Sequence, residues 1–141
     1  MLQETRKIAR ECLAFRIRML SRIVTAAYDE AVSKAGLKIS QFTVLVAVSN
    51  AEKCRPRDLA RSLEMDESTL SRNVERMCAR GWLRLEPDED RRGHLITITD
   101  KGKATILKAY PQWQKAQEQI VRQLGGEGVA AVRSALRKVR Q

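Results

Sequence analysis

The stretch Met65–Gly102, MDESTLSRNVERMCARGWLRLEPDEDRRGHLITITDKG, decides how this chain folds. Asp66 has a short acceptor side chain suited to capping a helix, because the first N–H groups of a helix lack internal partners. Glu67 places negative charge in the first turn, where the helix dipole favours it. Leu70, Val74 and Met77, spaced four and three, form one apolar face. Ser68, Thr69, Ser71, Arg72, Asn73, Glu75 and Arg76 are left to point elsewhere, and Gly81 ends the helix. Trp82–Leu85 and His94–Thr99 then alternate as strands do. Between them Pro87–Gly93 (PDEDRRG) is a charged turn too long for a two-residue hairpin loop.

Outward from this core, Arg55-Pro56 starts a short helix with Leu59, Ala60 and Leu63 facing in, since proline is tolerated in a first helical turn. A tight turn at Glu64-Met65 joins it to the helix capped by Asp66. Two short helices across a tight turn, the second presenting small polar residues and arginine outward, make a helix-turn-helix. The hairpin that follows makes it winged. Upstream, Ser40 is the expected cap of a helix carrying Phe42, Leu45, Val46 and Val48. Before that, one long helix is predicted from about Gln3 to Lys34, ended by Gly36. Its stripe is Ile8, Cys12, Phe15, Met19, Ile23, Ala27 and Ala31, with Arg6, Arg10, Arg18 and Arg22 mostly off it. Downstream, Thr99 or Asp100 caps a helix expected to be interrupted near Tyr110-Pro111, because proline removes an internal hydrogen bond. Its stripe resumes through Trp113, Ala116, Ile120 and Leu124. After Gly125-Gly126, Val129, Val132, Leu136 and Val139 mark a last short helix.

The chain has 141 residues, the size of one domain (1–141). Its longest apolar run, Phe42–Val48, falls well short of the ~20 residues a membrane span needs, and the first ten residues lack a signal-peptide apolar core, so a cytoplasmic protein without membrane association is expected. Three cysteines with no CxxC pair argue against a disulfide framework and a metal site. A single histidine, no phosphate-binding glycine loop and no nucleophile elbow argue against an enzyme, and no cofactor is expected. The net charge of +10 points to an anionic partner, nucleic acid first. The excess lies toward the ends. Residues 1–40 carry 8 Lys/Arg against 4 Asp/Glu and residues 93–141 carry 9 against 3, whereas residues 53–92 carry 10 against 9.

A helix that reads the major groove of duplex DNA needs short hydroxyl and amide side chains near its start, with arginines for phosphates or guanine edges. Ser68, Thr69, Ser71, Arg72, Asn73 and Arg76 supply that set, and Arg57 on the preceding helix joins them. At the tip of the wing, Asp90-Arg91-Arg92 offers arginine to a narrow minor groove, with Asp90 placed to orient a guanidinium.

The pieces Ser68-Thr69-Leu70-Ser71-Arg72, Arg80-Gly81-Trp82-Leu83, Asp90-Arg91-Arg92 and Leu95–Gly102 (LITITDKG) together resemble the core of the MarR family of winged-helix transcriptional regulators. The resemblance implies a mainly α fold: a winged helix-turn-helix over residues 37–100, a dimerisation helix over 1–36, and C-terminal dimerisation helices over 101–141. It further implies a homodimer that binds a pseudo-palindromic operator in double-stranded DNA, as a repressor by family habit. Independently, apolar stripes at both chain ends exceed what the small central lobe covers, and such stripes call for a partner copy. Release by a small phenolic or aromatic-acid effector, implied in the same way, would use Arg16, Tyr28 and Trp113. Release by thiol oxidation would use Cys12. Tyr28 and Trp113 also suit simple packing, and Cys12 lies on an apolar stripe where a free thiol behaves as a small hydrophobe.

Two other classes compete. A winged-helix module for protein–protein assembly draws support from the acidic wing and near-neutral middle. A small helical enzyme would need titratable residues converging in a pocket, and the carboxylates are instead scattered.

Overall fold

The computed structural model describes residues 1–140. The elements run α1 (Leu2–Glu11), α2 (Leu13–Ser33), α3 (Ile39–Ala51), β1 (Lys53–Cys54), α4 (Pro56–Ser62), α5 (Glu67–Ala79), β2 (Leu83–Pro87), β3 (His94–Ile98) and α6 (Asp100–Val139). This is a mainly α winged helix-turn-helix with long helices at both ends. Leu45, Val48, Leu70, Met77 and Ile96, contributed by α3, α5 and β3, are completely buried at the centre of the core.

The helix-turn-helix forms for local reasons. Pro56 sits in the first turn of α4, whose Leu59 and Ala60 are buried. The turn closes when the Met65 N–H donates to the Ala60 carbonyl at 2.8 Å, with Glu64 in the left-handed region at φ 51°. Asp66 then caps α5 through the Thr69 N–H at 3.2 Å, and Leu70, Val74 and Met77 are buried. The wing is larger than a hairpin. β3 pairs antiparallel with β2 on one side and with β1 on the other, Lys53 opposite Thr97 and Cys54 opposite Ile96. Two residues are too few to display the alternation that marks a strand in sequence.

Three expectations are corrected. The predicted single helix from Gln3 to Lys34 breaks at Cys12, where ψ is 113° and the Arg16 side chain donates to the Cys12 carbonyl at 3.2 Å. The apolar spacing runs through this break in phase, so periodicity does not reveal it. Ser40 does not cap α3, which begins one residue earlier. Gln41 reaches back to the Lys38 N–H at 3.0 Å, and Asp29 of α2 takes the Ile39 N–H at 2.8 Å. The interruption expected at Tyr110-Pro111 is absent, since α6 passes through Pro111 helically. Trp113 stacks between Phe42 and Tyr110 there, with centroids 6.2 and 5.8 Å away, and buried Ala109 and Ala116 flank it, so packing outweighs one missing N–H. Most of the stripe of α1 and α2, which exceeds what the central lobe covers, is exposed in the protomer. Val24, Tyr28 and Val32 carry the inward side of α2 instead. The change of direction at Gly125 does occur, at φ 69° and ψ 171°.

The winged helix-turn-helix is joined to α6 at one crowded point. The Thr99 hydroxyl donates to the Gly81 carbonyl at 2.6 Å and accepts from the Gly102 N–H at 3.0 Å, capping α6. Gly102 packs so closely that a Cβ there would stand 2.3 Å from the Trp82 carbonyl oxygen. At the far end of α6, Arg140 returns to the helix-turn-helix, donating to the Ser62 carbonyl at 2.8 Å and pairing with Glu64 at 3.1 Å.

Gly102→Ala is therefore expected to lower stability by about 3 kcal/mol, because backbone must move to admit the methyl group. Gly126→Ala, which meets open space, is the control and should be neutral or stabilising. Urea unfolding of both variants checks this, and equal midpoints would contradict the close packing.

Candidate nucleic-acid interface

Burial of Leu70, Val74 and Met77 turns the other side of α5 outward. Ser68, Thr69, Ser71, Arg72 and Arg76 are exposed, and Asn73 is half-buried. At the helix start, Asp66 gathers donors: the Thr69 N–H, the Thr69 hydroxyl at 3.4 Å and the Ser68 hydroxyl. Arg72 in turn donates to the Thr69 hydroxyl at 3.5 Å. The first-turn hydroxyls are thus oriented by the cap while their oxygens still face solvent. These hydrogen bonds, Ser68 first, hold the Asp66 carboxyl below its ordinary range.

Two grooves flank this face. One, of about 580 Å³, runs between α5 and the start of α3, where Thr69, Arg72, Asn73 and Arg76 meet Lys38, Ser40 and Gln41. Sequence reasoning missed these last three residues, because Ser40 was read only as a cap; the available signal was Lys38, a cation directly before the helix start. The other, of about 690 Å³, separates α5 from the wing and brings together Arg55, Arg57, Ser71, Asp88, Arg91 and Arg92. Arg57 leans across to Glu67 at 3.7 Å, both ends exposed, so the pair is weak and easily exchanged for a phosphate.

At the wing tip Arg91 and Arg92 are exposed, and neither forms an ion pair among the described residues. The expectation that Asp90 orients a guanidinium fails here. Its side chain faces solvent at the tip, and only its N–H is engaged, donating to Asp88 Oδ1 at 3.2 Å. Asp88, two residues earlier and turned inward, binds Arg55 instead, with Nε to Oδ2 at 2.7 Å and Nη2 to Oδ1 at 3.4 Å. The Arg55 guanidinium holds the Asp88 carboxyl below its ordinary range. Lys53 does the same for Glu86 from 3.2 Å, with help from Arg84.

The residues expected around an effector are not brought together. Tyr28 lines an apolar cavity of about 390 Å³ between α2 and α6, with Ile17, Val24, Ile120 and Leu124. Its hydroxyl donates to Gln117 Oε1, and Arg133 stands at the cavity wall. Trp113 is stacked in the core below, and Arg16 is held at the Cys12 carbonyl. All three thiols are free and half-buried, and burial pushes Cys54 and Cys78 up. No group of metal-ligating side chains occurs among the described residues, and none of their helices is long and apolar enough to cross a membrane.

Asp66, Glu86 and Asp88 bind fewer protons folded than unfolded at acid pH, since their folded pKa values are depressed. The stability they contribute is complete above the unfolded value of about 4 and is lost as pH falls through the folded values. Thermal melts between pH 7 and pH 2 should show this loss, and Asp88→Asn should reduce its size. An Asp88→Asn profile parallel to wild type would contradict the pairing.

Comparison with known proteins gives a consistent result. A profile described as MarR family matches residues 35–93, the span from the end of α2 through the wing loop. The multiple antibiotic resistance protein MarR of Escherichia coli is 27% identical over 125 residues, covering 87% of each chain. The Mycobacterium tuberculosis transcriptional regulator MosR superposes with a TM-score of 0.74 at 28% identity, covering 91% of this chain and 97% of MosR. A mutant E. coli MarR crystallised with operator DNA shares the fold, with a TM-score of 0.85 at 23% identity over 96% of this chain and 98% of that one. The matched winged core, relatives that span nearly the whole chain and the shared arrangement of terminal helices point the same way: this chain is similar to members of the MarR family.

Proposed function

We propose that this protein is a sequence-specific DNA-binding transcriptional regulator, acting in the cytoplasm as a homodimer on a pseudo-palindromic operator. The observation that carries the reading is the division of α5 into a buried apolar side and an outward side of hydroxyls, an amide and two arginines. The N-terminal turn of α5 offers N–H groups to a phosphate. Arg72, Asn73 and Arg76 reach base edges or backbone from the groove floor, with Ser68, Thr69, Ser71 and Arg57 around them. Arg91 and Arg92 enter the adjacent minor groove, where the negative potential is enhanced. A mutant E. coli MarR of the same fold was crystallised with operator DNA, which supports DNA as the partner. Occupying an operator in this way represses by exclusion.

Residues 1–36 and 101–141 supply the dimer interface. Ile17 and Ile23 of α2 are 63% and 64% exposed in the protomer, and Leu136 of α6 is 55% exposed. Apolar surface of that extent on both terminal arms suits burial in a two-fold interface. The Tyr28 cavity, apolar in body with Gln117 and Arg133 at its walls, suits a small phenolic or aromatic acid. Burial disfavours the thiolates of Cys54 and Cys78, and thiol oxidation at Cys12 is the alternative route of release.

The first experiment is a salt titration of binding to the duplex flanking the protein's own gene, with an unrelated duplex as control. Arg72→Ala and Asn73→Ala should each weaken specific binding about tenfold or more while leaving the dimer intact. Arg92→Ala should lower the salt slope by about one. Unchanged affinity in both α5 variants would remove α5 as the reading helix. Leu136→Asp should convert the dimer to monomer by light scattering, whereas a monomeric wild type at micromolar concentration would contradict the assembly.

A further inference from the structure

We infer that the Arg55–Asp88 ion pair sets the position of the wing on DNA, which makes Asp88 and Arg55 positioning residues for Arg91 and Arg92; this rests on the DNA-binding reading above. Asp88 stands apart from its surroundings. It is the one buried carboxylate among the described residues, its side chain 4% exposed, in a loop whose following four residues are all exposed.

The whole turn closes on this residue. Its backbone N–H donates to the Gly93 carbonyl at 3.1 Å, and its carbonyl accepts the Arg91 N–H at 3.4 Å. Its carboxylate accepts the Asp90 N–H at 3.2 Å as well as two donors of Arg55. Gly93 completes the closure at φ 115°, in a region that favours glycine. The loop therefore hangs on Asp88, and Asp88 hangs on Arg55.

Arg55 is well placed to be the anchor. It is the N-cap residue of α4 and follows β1 directly, so it is fixed between the sheet and the helix-turn-helix. Its guanidinium meets the carboxylate through two N–H groups, a geometry that fixes direction as well as distance. Among the described residues Arg91 and Arg92 have no ion pairs of their own, so their location relative to α5 is inherited through this connection. The pair also cancels charge at the groove floor and leaves the cations at the tip to meet phosphate.

The test uses the full chain and a duplex enriched from a random-core pool by the wild-type protein. Dissociation constants across a salt series are measured for wild type, Asp88→Asn, Arg55→Lys, Arg92→Ala and the Asp88→Asn/Arg92→Ala double variant. Asp88→Asn and Arg55→Lys should each weaken binding about tenfold and reduce the salt slope by about one. Asp88→Asn should add little to Arg92→Ala, because both remove the same contact. An Arg55→Asp/Asp88→Arg exchange should recover part of the slope. A wild-type slope in the single variants, or full additivity in the double variant, would overturn the assignment while leaving the regulator reading intact. Should Asp88→Asn fail to fold, Arg55→Lys carries the same readings, since it keeps the charge and loses only the fork. Failure of the pool to yield any bound duplex overturns the regulator reading and the positioning role together.

Discussion

The contact of Gly102 with the Trp82 carbonyl holds the rest of the molecule in place. The chain enters the wing at Gly81-Trp82 and leaves it at Thr99, and these points are brought together by the Thr99 hydroxyl and by the Thr99 N–H on the Trp82 carbonyl at 3.0 Å. Trp82 is buried, with the Arg80 guanidinium 4.4 Å over its ring. Because α6 starts within this knot, the direction of the long helix is tied to the end of α5. A side chain at Gly102 would separate the two. The reading surface and the terminal arms are thus parts of one rigid connection, extended at the far end by Arg140 on the helix-turn-helix turn.

Within the head, apolar and ionic constraints divide the labour. α5 is held by Leu70, Val74 and Met77, which need no direction from polar partners and leave its opposite side free. The wing has little apolar surface beyond the strands and uses hydrogen bonds and an inward carboxylate to hold its loop. An ion pair is sensitive to geometry where apolar packing is tolerant. That difference fits the role proposed for the loop, presenting two arginines at a fixed distance from a helix.

The arms follow a different logic. α2 and α6 pack on each other through Val24, Tyr28, Gln117 and Ile120, yet both keep long apolar side chains outside that contact. The break at Cys12 turns α1 away from α2, and α1 buries none of its residues within the protomer. A helix with an apolar face and no covering surface in its own protomer gains stability chiefly from association. The concentration of positive charge at the two ends of the sequence falls mainly on the arms, whereas residues 53–92, which carry α4, α5 and the wing loop, are near neutral.

Sequence alone determined whatever depends on local spacing and local chemistry. The three-four rhythm of α5, its Asp66 cap, Pro56 at the start of α4, the Glu64-Met65 turn and a helix start at Thr99 or Asp100 are legible because each is decided within a few residues. Gly125 is legible for the same reason, since its backbone conformation favours glycine. Tertiary structure alone decided the features that rest on partners distant in sequence. β1 exists because β3 supplies its hydrogen bonds, and α6 survives Pro111 because Phe42 packs on Trp113. α3 is capped by Asp29 across a turn, and Asp88 rather than Asp90 binds a guanidinium because Arg55, 33 residues upstream, reaches it. Nothing in the order of three adjacent carboxylates says which one turns in; that choice is made by the guanidinium waiting at the base of the wing.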